Sequence, residues 1–373
     1  MRVLQLAKRS VLAAAAVCVA LTGCGDSGPE VPFNPTGTTA DLAAMNATFE
    51  SSTFASFSTF SLLFDAALGP SPLITASAAA LDIRASHKAG MRVAAMRSAK
   101  RMAAIMSPKP SGAPRPGGGF SALAAAIPPE AAGKTFIYDL GTGGYVVSDR
   151  EPLASNTVRF ILYAVDPVTF APVDPLDETG YVDIIDLSSG STSAARVRVF
   201  SGDTEYLNYL VSLSSTATSG RISMIGFVTD GATQANIDLR STLTSSAGLT
   251  LTYSVDVPSR DVSIDLALAA SGFDPETSTI EVTLDMRGPN GWLLLSGEFT
   301  VDGGTLTVRS NGNLFATITS TGTTDPVITG TDGQPLADEE VEALQGIFLL
   351  TGEAFTSFDQ MFAPVGSVLE PAA

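Results

Sequence analysis

Hydrophobic and polar positions along this chain follow two different periods. In IEVTLDM (280–286), Ile280, Val282, Leu284 and Met286 fall on one side, and Glu281, Thr283 and Asp285 on the other. YLNYLVSLS (206–214), GLTLTYSVDV (248–257) and VSIDLAL (262–268) repeat that alternation. A period of two marks a strand with one dry and one wet face. Between these runs stand the turn-forming stretches TDGAT, SSAG, PSRD, FDPETS, GPNG, VDGG and SNGN. From 134 to about 320 the pattern yields about fourteen candidate strands, spaced as in an antiparallel meander.

The period lengthens on both sides of this region. Leu42, Met45, Phe49, Phe57, Phe60, Phe64 and Leu68 recur at helical spacing, with Asp41 as the expected N-cap and Gly69-Pro70 as the stop. Residues 337–362 do the same through Val341, Leu344, Phe348, Phe355, Phe358 and Phe362, with Asp338 as N-cap. Phe57, Phe60 and Phe64 share their three-then-four spacing with Phe355, Phe358 and Phe362. Two ordinary amphipathic helices, each needing a core face, account for that echo. The predicted fold is mainly β within an α+β class. A large, curved antiparallel meander of a dozen or more strands carries both helices on its apolar face, because a sheet this wide curls and its dry face must be covered.

Between the first helix and the sheet the chain changes character. Residues 76–106 are rich in Ala, Met and basic side chains without one polar face, and SPKPSGAPRPGGG (107–119) is linker-like. From 83 to 129 there are eight basic residues and no acidic one; from 130 to 373 there are 10 basic and 32 acidic. The acidic part repels nucleic acid and anionic lipid. The basic part suits pairing with it, or with phosphates at a membrane.

The N-terminus adds an address. Arg2, Lys8 and Arg9 precede an eleven-residue apolar run, VLAAAAVCVAL (11–21). A spanning helix needs about 20 apolar residues. A basic start and a short apolar core are the anatomy of a signal peptide. Leu21-Thr22-Gly23-Cys24 then resembles the lipobox of bacterial lipoproteins. The resemblance covers the N-terminus alone. It implies that the Cys24 thiol receives a diacylglycerol, that cleavage falls before Cys24, and that the new amino group is acylated. Two or more acyl chains give stable anchoring where one does not. In that family an aspartate after the cysteine retains the protein in the inner membrane; Gly25 stands there, which favours the outer membrane, with Asp26 one place later. Cys18 leaves with the signal, so no thiol is left for a disulfide or a metal.

No catalytic pattern in the chain is complete. His87, the one histidine, lies in the basic stretch with only Asp82 nearby, which reads as a solvated side chain rather than part of a triad. A zinc site lacks ligands. Gly133-Lys134-Thr135 resembles the tail of a phosphate loop, but Pro128 replaces the required glycine and a strand follows. Gly141-Thr142-Gly143-Gly144 lacks the last glycine of the dinucleotide fingerprint, where Val146 stands, and reads as a hairpin turn. Asp174 to Glu178, and Asp332 with Asp338 to Glu340, do not fit a calcium loop and read as solubilising turns. No carboxylate pair can be singled out for glycoside hydrolysis. Trp292 has the character of core or rim more than of a ligand platform.

The expected organisation is a signal peptide over 1–23, a flexible tether over 24–40, a helical and basic segment over 41–129, and a β-domain with its C-terminal helix over 130–373. The expected function is that of a lipid-anchored envelope lipoprotein acting as a non-enzymatic binding or structural module. No catalytic residue, metal or cofactor is assigned; Cys24 is the attachment residue. Its partner is the membrane, with an envelope protein or an apolar ligand as further partner classes and the oligomeric state left open. The alternative is a carrier or sensor of an apolar ligand such as lipid, held between curved sheet and helices. A membrane-spanning β-barrel is disfavoured by charges along the wet faces and by the low aromatic content.

Overall fold

The computed structural model describes residues 32–49, 129–166, 171–190, 192–216, 218–244, 248–271, 279–300, 302–320 and 327–347, with Thr53, Ser56, Phe57, Phe60, Ile127 and Met361. Fifteen strands form one sheet: β1 (Thr135–Asp139), β2 (Gly144–Val147), β3 (Thr157–Tyr163), β4 (Glu178–Asp186), β5 (Thr192–Ser201), β6 (Thr204–Ser215), β7 (Ser219–Thr229), β8 (Gln234–Thr244), β9 (Gly248–Val257), β10 (Val262–Ser271), β11 (Thr279–Gly288), β12 (Gly291–Thr300), β13 (Gly303–Ser310), β14 (Asn313–Ser320) and β15 (Val327–Gly330). Their spatial order is the chain order from β15 back to β3, followed by β1 and β2 at the far edge. From β3 to β15 each strand is antiparallel to the next. One contact in the expected antiparallel meander is parallel. The β1–β2 hairpin turns back, and β1 then lies parallel to β3, through Thr135↔Arg159 and Phe136↔Phe160. The connection over residues 148–156 is long enough to make that return.

The alternation seen in the sequence sets which side chains are buried. In β11, Val282, Leu284 and Met286 are buried while Glu281 and Thr283 are exposed. In β9, Leu251, Tyr253, Val255 and Val257 are buried, and Thr250 and Thr252 face water. One dry face therefore runs from β3 to β14. Laid flat, fifteen strands would span about 67 Å at ~4.8 Å per strand. A helix with its side chains is only about 10–12 Å across. The dry face is buried nonetheless, and the sheet is curved and open. Bulges at Leu162/Tyr163, Val199/Phe200 and Val308/Arg309 add local twist to this curl.

The concave side is filled from both ends of the chain. Helix α1 (Pro35–Phe49) lies against β7 and β8. Leu42, Met45, Phe49, Phe57 and Phe60, five residues of the expected stripe, are buried; Phe64 and Leu68 lie outside the described residues. Residues 338–347 are helical and bury Ala343, Leu344 and Ile347. Met361, also helical, is fully buried in the same core. The two helices meet where the Gly346 Cα comes so close to Leu42 that a Cβ there would sit 3.2 Å from its Cδ1. Each large apolar side chain buried here contributes roughly 1.5–3 kcal/mol.

Both helix starts differ from expectation by a definable cause. Helix α1 begins at Pro35, so the expected tether over 24–40 gives way to helix from residue 35. Asn34 Oδ1 accepts the Gly37 N–H at 3.1 Å and serves as the cap, and proline suits the first helical position. Asp41, the expected cap, is instead buried within the helix. At the other end Ala337 occupies the cap position. Its N–H donates to Glu340 Oε2 at 3.0 Å, half of a capping box, which moves Asp338 into the first turn. Phe348, Phe355, Phe358 and Phe362 lie outside the described residues.

Candidate functional site

Cys24 and His87 lie outside the described residues. The nearest described position to Cys24 that is tied to the fold is Phe33, nine residues on. Its ring meets Phe315 of β14 edge-on at 5.4 Å, and its Cα lies so near Gly291 that a Cβ there would be 3.0 Å away. Asn34 follows. Its N–H donates to the Asn290 carbonyl at 2.9 Å, and its side-chain amide donates to Asn290 Oδ1 at 3.1 Å. Asn290 Nδ2 in turn donates to Asp41 Oδ2 at 2.7 Å, and Arg260 Nη1 lies 3.8 Å from Asp41 Oδ1. Pro258–Arg260 form a single 3-10 turn between β9 and β10, and Asn290 lies in the turn between β11 and β12. Two hairpin turns of the sheet thus grip the first turns of α1. Sequence reasoning missed this latch, because Asp41 served it equally well as a cap and GPNG as a plain turn.

The sheet's outer face carries a second ordered group over β3 to β6. Arg159 and Asp183 pair fork to fork at 2.6 and 2.7 Å, and the Arg159 guanidinium also lies 3.9 Å from the Tyr181 ring centre. Tyr181 stacks on Phe200 at 5.0 Å; Arg198 covers Phe200 at 4.7 Å and bonds Glu205 at 2.6 Å. The Asp183 carboxylate, as hydrogen-bond partner before all else, raises the Arg159 pKa above its ordinary value. Every charge in this ladder has a partner across the strands, so it locks register.

Trp292 stands on the outer face of β12. Its Nε1 donates to Asp285 Oδ1 at 2.6 Å, and Arg287 lies 5.3 Å from its ring centre while bonding Asp285 at 2.8 Å. The acidic turns are also engaged. Glu178 pairs with Arg150, Asp332 Oδ1 accepts the Gln334 N–H, and Glu340 closes the helix cap. Asp230 Oδ1 accepts the N–H groups of Thr233 and Ala232, which lower its pKa in that order. Asp139 is lowered first by the Gly141 N–H, then by the Thr142 hydroxyl. Gly133-Lys134-Thr135 leads into strand β1, and residues 140–143 form the hairpin turn. Among the described residues no three His, Cys, Asp or Glu side chains are grouped to hold a metal ion, and no helix is long and apolar enough to cross a membrane.

Inside the curve, a crevice of about 10 Å³ lies among Thr53, Phe57, Val199, Tyr206, Leu207, Val228 and Thr229. That is about the space of one water. Tyr209, fully buried beside it on β6, donates its hydroxyl to the Met361 carbonyl. Phe60 meets Phe160 at 5.0 Å and Tyr145 at 5.8 Å, and Phe160 stacks on Phe136 at 4.9 Å. Aromatic rings thus fill the end of the groove nearest β1 and β2. Compared with protein-family models, curated proteins and solved structures, the chain has no match.

Proposed function

We propose that this chain is a lipid-anchored lipoprotein of the bacterial cell envelope, held by an acylated Cys24 and acting as a non-enzymatic binding or structural module. The observation that carries this reading is Leu21-Thr22-Gly23-Cys24 directly behind a basic start and an eleven-residue apolar run. The latch supports it. Cys24 stands nine residues ahead of Phe33, a reach of at most about 30 Å, and from Phe33 onward the chain is gripped by the sheet. An anchor so close to a pinned residue would hold one end of the sheet toward the bilayer. Gly25 at the sorting position favours the outer membrane.

The packed groove favours a module over a carrier. Among the described residues Phe57, Phe60, Tyr209 and Met361 are buried in that groove, where a carrier would need an open pocket of roughly 300–1,000 Å³. The test is Cys24→Ser in the full chain, expressed in a bacterial host and followed by membrane fractionation and intact-mass measurement. The wild type is expected in the membrane fraction with the mass of a diacylglycerol and an acyl group on residues 24–373. The variant is expected in the soluble fraction or with its signal uncleaved. An unmodified wild-type mass would end the proposal.

A further inference from the structure

Asparagine followed by glycine occurs twice in the chain, at Asn290–Gly291 and Asn311–Gly312. Of the residues that can follow asparagine, glycine leaves its own backbone nitrogen the freest path to the side-chain amide, because it has no Cβ. That nitrogen attacks Cγ, the Cγ–Nδ2 bond breaks, and Nδ2 leaves as ammonia with the proton given up by the glycine N–H. The five-membered imide so formed takes up one water. Opening at Cγ gives aspartate, and opening at the backbone carbonyl gives isoaspartate. Either product replaces a neutral amide with a carboxylate.

At Asn290 the latch covers both reacting groups. Nδ2 donates to Asp41 Oδ2 at 2.7 Å, Oδ1 accepts from Asn34 Nδ2 at 3.1 Å, and the backbone carbonyl accepts the Asn34 N–H at 2.9 Å. Gly37 packs so closely on the amide that a Cβ there would lie 2.4 Å from the Asn290 Cγ. Phe33 covers the other reactant, since a Cβ on Gly291 would lie 3.0 Å from the Phe33 Cα. Gly291 also pairs with Gly288 to close the hairpin. For reaction the Asn290 Cγ must turn toward the Gly291 nitrogen, and that turn breaks the side-chain bonds to Asp41 and Asn34. Asn311–Gly312 has the same chemistry in the β13–β14 turn, with φ of 48° and 80°. It serves as an internal reference.

We infer that Asn290–Gly291 is a self-modification site masked by residues 33–41, and that its reaction makes the latch a one-way switch. While the start of α1 is seated, the amide is held away from the Gly291 nitrogen. When that segment lifts, the side chain is released and the pair cyclises. The product no longer fits as before. Where Nδ2 donated to Asp41, a carboxylate oxygen now faces the Asp41 carboxylate. Asn34 Nδ2 still has an acceptor, so the loss falls on the Asp41 contact. Arg260 Nη1, 3.8 Å from Asp41 Oδ1, is one cation beside two anions. Carboxylates this close oppose each other's ionisation, and reseating α1 becomes unfavourable.

The test follows aspartate and isoaspartate at both Asn–Gly pairs by peptide mapping of the full chain, aged in mildly alkaline buffer. Asp41→Ala removes the acceptor of Nδ2 and leaves the hairpin sequence untouched. It is expected to speed conversion at Asn290 by roughly ten-fold or more, as the open fraction of the latch rises, with Asn311 unchanged. No change at Asn290 overturns the inference. If both sites accelerate together, the whole fold is opening, and Asn34→Ala, which keeps Asp41 in place, decides by the same two rates. Anything there other than selective acceleration at Asn290 overturns the mask. Amide hydrogen exchange tests the one-way step. Asn290→Asp, the direct product, is expected to lose protection at the N–H groups of Asn34 and Thr38, which bond the Asn290 and Asn34 carbonyls in the intact latch. Asp41→Asn combined with Asn290→Asp again sets one donor against one acceptor and is expected to recover it. Unchanged protection in Asn290→Asp, or a loss that the swap does not recover, overturns the switch.

Discussion

Asn290 spends its whole side chain on the N-terminal segment: the amide donates to Asp41, and the carbonyl oxygen accepts from Asn34. Asp41 is almost fully buried, with Arg260 as a longer-range partner. Removing Asn290 leaves that carboxylate short of a hydrogen bond, at a cost of about 1–3 kcal/mol. Asn290→Ala is therefore expected to lower the denaturation midpoint by that amount, and Asp41→Leu in the same chain to recover part of it. A double-mutant cycle by denaturant unfolding measures the coupling; strictly additive losses would show that the pair does not act together. Gly37 is part of the same fit, since a Cβ there would overlap the Asn290 side chain. Residues of this kind are poorly legible from a sequence. Asp41 fits a cap, a surface position or a buried partner equally well, and only the approach of the β11–β12 turn decides among them.

Strands were the most legible elements, for a physical reason. A sheet with one wet and one dry face forces a period of two, and the faces of β9 and β11 follow the alternation residue by residue. Alternation says which way a side chain points but not which strand lies alongside. The parallel β1–β3 contact accordingly left no trace in the pattern. Neither did the cross-strand pairs on the outer face, two of which oppose like charges: Asp265↔Asp285 and Glu281↔Glu298. The first is relieved, since Arg287 and Trp292 hold Asp285. Both glutamates of the second are exposed. Like charges directly opposite destabilise a sheet by roughly 0.2–1 kcal/mol. Glu298→Thr, a good strand former beside Thr305, is expected to raise stability by about that much in low salt, with the gain shrinking in high salt. Equal gains at both ionic strengths would assign the effect to strand propensity instead. The candidate site divides in the same way. The proposed role of Cys24 rests on residues adjacent in sequence, whereas the latch at the start of α1 joins residues about 250 positions apart.

At the scale of the whole molecule, the packed groove makes unfolding at high pH a collective event. Tyr145, Tyr209 and Tyr253 belong to three separate strands, and burial raises each hydroxyl pKa above its ordinary value of 10. Tyr145 donates to the Ile161 carbonyl at 2.8 Å and Tyr209 to the Met361 carbonyl, so ionising either would also break a bond between elements. The sign follows from linkage. A group whose folded pKa is raised stabilises the fold fully while pH is below the unfolded value, and that contribution fades as pH climbs above 10 toward the folded value. The three groups act in one direction and share one core, so the loss is expected to be steep and cooperative. Far-UV circular dichroism and tyrosinate absorbance, recorded together through an alkaline titration, test this. The protonated buried tyrosines should ionise only in the step that abolishes the β-sheet signal. Tyr209→Phe should move that step by removing one ionisable core group, and it should weaken the hold of β6 on the segment around Met361. If all seven tyrosines of the chain ionise with the β-sheet signal intact, the groove is open to water and the sheet is not closed over its helices as a packed unit. That result would also restore the apolar-ligand carrier as the better account of the curved sheet, because a groove that admits hydroxide has room that the crevice by Phe57 lacks.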